Sequence, residues 1–158
     1  MTLTIGLPVK AYLKRFVLFK QNLLPNDTPV DLSGPGEIPL VLRSLLVGKM
    51  KGTPYRHEPS EELYDATLHL IIPKWQSSRS QIVITQEGIH LANEFLRSNF
   101  QEYLLTRILE GLKHNRTEHD TIYEMMTEMG LEEEMISYDA LKKASYRLRK
   151  RKKIPLLR

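Results

Sequence analysis

The chain has 158 residues, 23 of them Lys or Arg and 19 Asp or Glu, for a formal net charge of +4. It contains no cysteine, which excludes disulfide scaffolds, thiolate zinc sites, iron–sulfur clusters and cysteine nucleophiles. At this length a 41% hydrophobic composition supports a core, and the longest apolar stretch, Ile38 to Val47, is interrupted by Arg43 and falls far short of the roughly 20 residues of a membrane span. Met1 to Tyr12 has no secretory-type apolar core, so a soluble cytoplasmic protein is expected.

Leu3, Ile5 and Leu7 alternate with Thr2, Thr4 and Gly6, the period of a short strand. Pro8 then sits where a first helical turn tolerates proline, and Tyr12, Phe16 and Phe19 recur at helical spacing as far as Lys20. The prolines and glycines of residues 25–36 predict a loop, with a short extended piece at Val30 to Leu32. A second helix is expected over Glu37 to Met50, apolar around most of its circumference and hence buried or covered by a partner.

After a loop at Gly52 to Ser60, Leu63 to Ile72 and Gln81 to Thr85 read as two strands of a β-hairpin spanning 63–85, joined through Pro73 to Ser80. Thr85 caps a long helix over 86–113, whose apolar face runs from Leu91 to Leu112. Ser98-Asn99-Phe100-Gln101 has capping-box form and offers a point where that helix divides in two. Thr117, with Asp120 three residues on, caps a helix of Glu118 to Met129, which Gly130 ends and apolar Leu131 follows. Ser137 caps a last helix, Tyr138 to about Lys152, stopped by Pro155. The predicted fold class is α+β. A small mixed body of short strands, a hairpin and helices occupies residues 1–113, and a helical module follows over residues 114–158.

Charge is polarised along the chain. Residues 1–57 hold eight basic and three acidic residues, 58–137 six and fifteen, and 138–158 nine and one. An acidic middle does not screen such a tail beyond about 8–10 Å at physiological salt, so the natural partner is a polyanion. On a helical wheel with Leu141 at zero, Ala144 and Leu148 fall within about 60°, while Lys142, Lys143, Tyr146, Arg147, Arg149, Lys150 and Lys153 span about 80° to 240°. One face is apolar and the other basic, with only Asp139 opposing. Such a face suits a DNA major groove, where Arg and Lys meet phosphates and guanine edges and a tyrosine packs on sugar or a thymine methyl.

The segment from Thr121 through Gly130-Leu131, followed by Ser137 to Lys150, resembles the helix-turn-helix DNA-binding proteins. The likeness lies in Gly130 at the turn, apolar Met126 and Leu131 around it, and a basic second helix in the recognition position. The connection Gly130 to Ser137 is a few residues longer than that family's. The short chain and basic carboxy end also resemble small regulators or accessory proteins of phages and mobile elements. The resemblance implies a non-catalytic DNA-binding protein, with a role in transcription regulation and, by half-site recognition, a homodimer joined through the helix at Ile38 to Val47 or the one at 86–113.

Lys142, Lys143, Arg147, Lys150 and Arg151 are expected to neutralise phosphates, with Lys153 extending the charge and Tyr146 and Arg149 reaching bases. Lys74, Trp75 and Arg79, at the expected hairpin tip, form a second candidate contact. The alternative is an adaptor of a larger nucleoprotein assembly whose basic helix docks on an acidic protein partner or on RNA. The histidines at 57, 69, 90, 114 and 119 lack ligand spacing, since the nearest pair is five apart. With no phosphate loop of Walker or dinucleotide type and no nucleophile elbow, the expectation is no enzyme, catalytic residue, cofactor or metal.

Overall fold

A computed structural model describes residues 2–48, 64–77 and 82–154. The fold is α+β with a helical carboxy-terminal part, and the chain divides into two compact units, Met1–Leu96 and Arg97–Arg158. Among the described residues no helix is long and apolar enough to cross a membrane.

In the first unit, β1 (Thr4–Val9) pairs antiparallel with β4 (Ala66–Ile71), and the two-residue β2 (Val30–Asp31) pairs parallel with the other edge of β4. The first strand therefore begins and ends two residues later than its alternation implied. Pro8 lies inside it opposite Thr67, on an edge strand where a missing N–H is tolerated. Helix α1 (Ala11–Lys20) starts only after the strand ends, and the Asp65 carboxylate accepts the Ala11 N–H at 2.8 Å. Its buried face is Leu13, Phe16, Val17 and Leu18 rather than the aromatic stripe expected from spacing.

Helix α2 (Glu37–Ser44) stops six residues before the expected Met50. The chain then extends as β3 (Leu46–Gly48), which pairs antiparallel with β5 (Ile82–Ile84). This corrects the hairpin expected over 63–85. Its two strands, β4 and β5, belong to different sheets. The reason is positional: both edges of β4 are taken, by β1 and β2, so β5 finds its partner in β3. Between them, Lys74–Ser77 forms a short helix, α3, in place of a loop. The core holds Leu7, Val9, Leu13, Phe16, Leu42, Leu68 and Leu70. Buried Asn93, on the amino-terminal part of α4 (Gln86–Lys113), donates Nδ2 to the Pro8 carbonyl at 2.9 Å and so ties α4 to β1.

Thr85 caps α4 as expected, its hydroxyl accepting the Gly88 N–H at 3.0 Å. The helix runs unbroken through Ser98-Asn99-Phe100-Gln101. Ser98 is exposed there, and Leu96, Phe100, Leu104 and Ile108 continue one buried stripe across the would-be break. The two compact units divide within this helix, at residues 96 and 97.

The second unit consists of the rest of α4, α5 (Glu118–Met129) and α6 (Tyr138–Lys152). Thr117 accepts the Asp120 N–H, and Ser137 accepts the Ala140 N–H, each at 3.1 Å. Gly130 takes the left-handed conformation, with φ 63°, and the Leu131 N–H closes back on the Met126 carbonyl at 2.8 Å. Phe100, Leu104, Ile108, Ile122, Met125, Met129, Leu141 and Leu148 fill the core.

Candidate nucleic-acid interface

The carboxy-terminal site is built on α6, whose start is fixed twice. Besides the Ser137 cap, the Glu133 carboxylate accepts the Tyr138 N–H at 2.9 Å, so one member of the acidic run Glu132 to Glu134 serves the helix end. Leu141, Ser145, Leu148 and Arg149 are buried, with Ala144 half-buried beside them. The opposite face presents Lys142, Lys143, Tyr146, Arg147 and Lys150, all exposed, with Tyr146 at 56%.

These five residues line an open cleft of about 910 Å³ together with Glu118, Asp139 and Arg149. Among the described residues no carboxylate forms an ion pair with Lys142, Lys143, Arg147 or Lys150. Four like charges therefore stand along about 12 Å of one helix, at a rise of about 1.5 Å per residue, with Asp139 beside them but not ion-paired to any of them. Arg151 and Lys153 are also exposed but lie outside the cleft lining, and Lys153 closes the helix in the left-handed conformation. Lys152 is engaged by Glu102 at 2.7 Å.

Arg149 departs from its predicted place on the basic face. It is 95% buried, and its Nη2 donates to the Glu118 carboxylate at 3.1 Å. The wheel places it at the margin of the basic sector, about 80° from Leu141, where the neighbouring α5 is within reach. A guanidinium there turns inward to a carboxylate rather than outward to water.

The expected second contact lies in the first unit, on α3 rather than on a hairpin tip. Lys74 and Trp75 are exposed, Trp75 at 65%, with the Arg43 guanidinium 5.8 Å from the indole centroid. Arg79 lies outside the described residues.

Periodicity alone passed over a second feature beside the cleft. His119, Tyr123 and Tyr138 form an aromatic cluster, with Tyr123 and Tyr138 stacked at 4.9 Å. Partial desolvation of the Tyr138 phenol, followed by the negative charge of Glu118, pushes its pKa above the ordinary tyrosine value. The spacing of His119 and Tyr123, four residues apart on one helix, was the available signal.

No protein-family model, curated protein or solved structure matches this chain.

Proposed function

We propose that this chain is a non-catalytic DNA-binding regulator or accessory protein, of the kind carried by phages and mobile elements, that lays the exposed face of α6 against duplex DNA. The observation that carries the reading is the row Lys142, Lys143, Arg147 and Lys150, exposed and without ion-pair partners among the described residues, with Tyr146 among them. The row runs about 12 Å along α6, long enough to meet more than one phosphate of a DNA strand. Tyr146 stands where a ring meets sugar or a thymine methyl. Arg151 and Lys153 add charge at the far end, and Arg149 serves by fastening α6 to α5.

The succession of α5, a turn through Gly130 and Leu131, and basic α6 supports the likeness to helix-turn-helix proteins, and with it transcription regulation in the cytoplasm. Recognition of paired half-sites favours a homodimer. Leu40 on α2 is 55% exposed and Leu91 on α4 is also exposed, which makes these the helices to pair. Light scattering that returns a monomer both free and with DNA removes the dimer.

The experiment is fluorescence anisotropy of a labelled random duplex, titrated across salt with wild type and with K142A/K143A/R147A/K150A. Each neutralised phosphate adds about 0.9 to the logarithmic salt slope, so the variant is expected to lose about 3.6 of it. Retention of the slope by a folded variant overturns the assignment to α6. A second reading, an adaptor docking on an acidic partner or on RNA, draws on exposed Leu40, Val47 and Trp75 in the first unit, apolar surface that suits protein contacts. It takes over if wild type fails to bind duplex at low salt.

A further inference from the structure

Three rings meet near the starts of α5 and α6. Tyr123 and Tyr138 lie 12° from parallel with centroids 4.9 Å apart. His119 meets both at steep angles, with centroid distances of 4.7 Å and 5.1 Å, and its Nδ1 is hydrogen-bonded to the Tyr138 hydroxyl at 3.1 Å. One face of Tyr123 is thus covered by Tyr138, yet Tyr123 keeps 48% of its surface exposed. A ring held this way loses little freedom when something flat is laid on it.

The cluster adjoins the row of cations. Glu118 and Asp139, which line the cleft, are the chain neighbours of His119 and Tyr138. Lys142 stands one turn beyond Tyr138 on α6, about 6 Å along the axis. The charges on the two sides differ in sign. Lys142, Lys143, Arg147 and Lys150 attract phosphate, whereas the Asp139 carboxylate beside Tyr138 repels it, the Glu118 charge being met by Arg149. A strand that follows the cations thus keeps its backbone off the rings, and the part of a nucleotide that the ring face accepts is the uncharged base.

We propose that the Tyr123–Tyr138 stack is a seat for an unpaired nucleobase, which lies as a third layer on the open face of Tyr123 while the phosphates of the same strand follow Lys142, Lys143, Arg147 and Lys150. The inference rests on the nucleic-acid reading of α6 and specifies its ligand as a duplex with single-stranded nucleotides beside it. Stacking of this kind tolerates any sequence, because every base has a π-face. Tyr123 and Tyr138 are the binding residues, and His119 is a positioning residue that fixes both rings.

The test uses the full chain and three fluorescein-labelled DNAs: a blunt duplex, the same duplex with a three-nucleotide dT overhang at either end polarity, and that overhang made abasic. Wild type is expected to bind the dT overhang about tenfold more tightly than either other DNA. The preference should vanish in Tyr123→Ala, persist in Tyr123→Phe, and leave binding to the blunt duplex and its salt slope unchanged in both. A 2-aminopurine placed in the overhang should lose fluorescence on binding wild type but not Tyr123→Ala. Equal, salt-dependent binding of all three DNAs by wild type overturns the base seat and leaves the duplex reading standing. Failure to bind any of them at low salt overturns both. Preference for the dT overhang undiminished in Tyr123→Ala also overturns the seat.

Discussion

Arg149 and Glu118 are joined through one nitrogen: Nη2 lies 3.1 Å from one carboxylate oxygen and 3.3 Å from the other, fastening the last turns of α6 to the first turn of α5. The side chains are only 6% and 18% exposed, and Nε and Nη1 of Arg149 are buried without a hydrogen-bond partner among the described residues. The two ends of the pair are therefore unequal. Glu118 retains some access to water, while the guanidinium depends on Glu118. Glu118→Gln is expected to lower stability by roughly 2–3 kcal/mol, because a buried cation loses its counter-charge, and Arg149→Met by about 1 kcal/mol or less. Urea unfolding at neutral pH orders the two, and the reverse order rejects this account of the pair. Arg149→Met should also leave the salt slope of DNA binding at the wild-type value, since a buried guanidinium releases no counterion.

Gly111 faces Thr121 of α5 at close range. A Cβ built there would stand 2.5 Å from Thr121 Oγ1, and Thr121 is buried with its hydroxyl bonded to the Thr117 carbonyl at 3.0 Å. Gly111→Ala should gain helix propensity yet lose about 1–3 kcal/mol to the overlap, as overpacked sites do. Thr121→Ala removes the obstructing oxygen, so the double variant should recover most of the loss relative to Thr121→Ala alone. Thermal unfolding of the four proteins measures the coupling, and additive losses would place the cost elsewhere than in this contact.

What the sequence announced well is local. Thr117, Ser137 and Thr85 declare helix starts because a cap needs only a side-chain oxygen and an N–H three residues on, and Gly130 declares a stop because left-handed backbone favours glycine. Strand partnership is not local. Nothing in Leu68 or Ile82 reveals that both edges of β4 are occupied, so two successive strands read as a hairpin although they belong to different sheets. Pro8 misled for a related reason, since the same residue suits a first helical turn and an edge strand, and only pairing with β4 decides between them. In the candidate site, the wheel separated the exposed cations from the apolar face but could not see α5. Arg149 at the margin, and the ring cluster that joins Tyr138 to His119 and Tyr123, depend on that neighbour.

Arg107 and Glu128 form another cross-link of the carboxy-terminal unit, a two-point pair with Nη1 to Oε2 at 2.7 Å and Nη2 to Oε1 at 3.2 Å, joining α4 to α5. The hydrogen bond from Arg107 holds the Glu128 carboxyl below its ordinary value of 4.5, against a smaller opposing effect of burial. Glu128 reciprocally raises the Arg107 guanidinium, which also donates to the Tyr103 hydroxyl at 2.9 Å. Because the folded state binds the Glu128 proton less readily than the unfolded chain, the pair's contribution is fully present above about pH 5. It is lost as the pH falls through the lowered folded value. Glu128 is 37% exposed, so screening by water limits the contribution to about 0.5–1 kcal/mol. Glu128→Gln should therefore be less stable than wild type at pH 7 by that amount and indistinguishable from it near pH 3, in urea titrations at both values. A deficit of the same size at both would mean that shape and hydrogen bonding, not charge, make the contact.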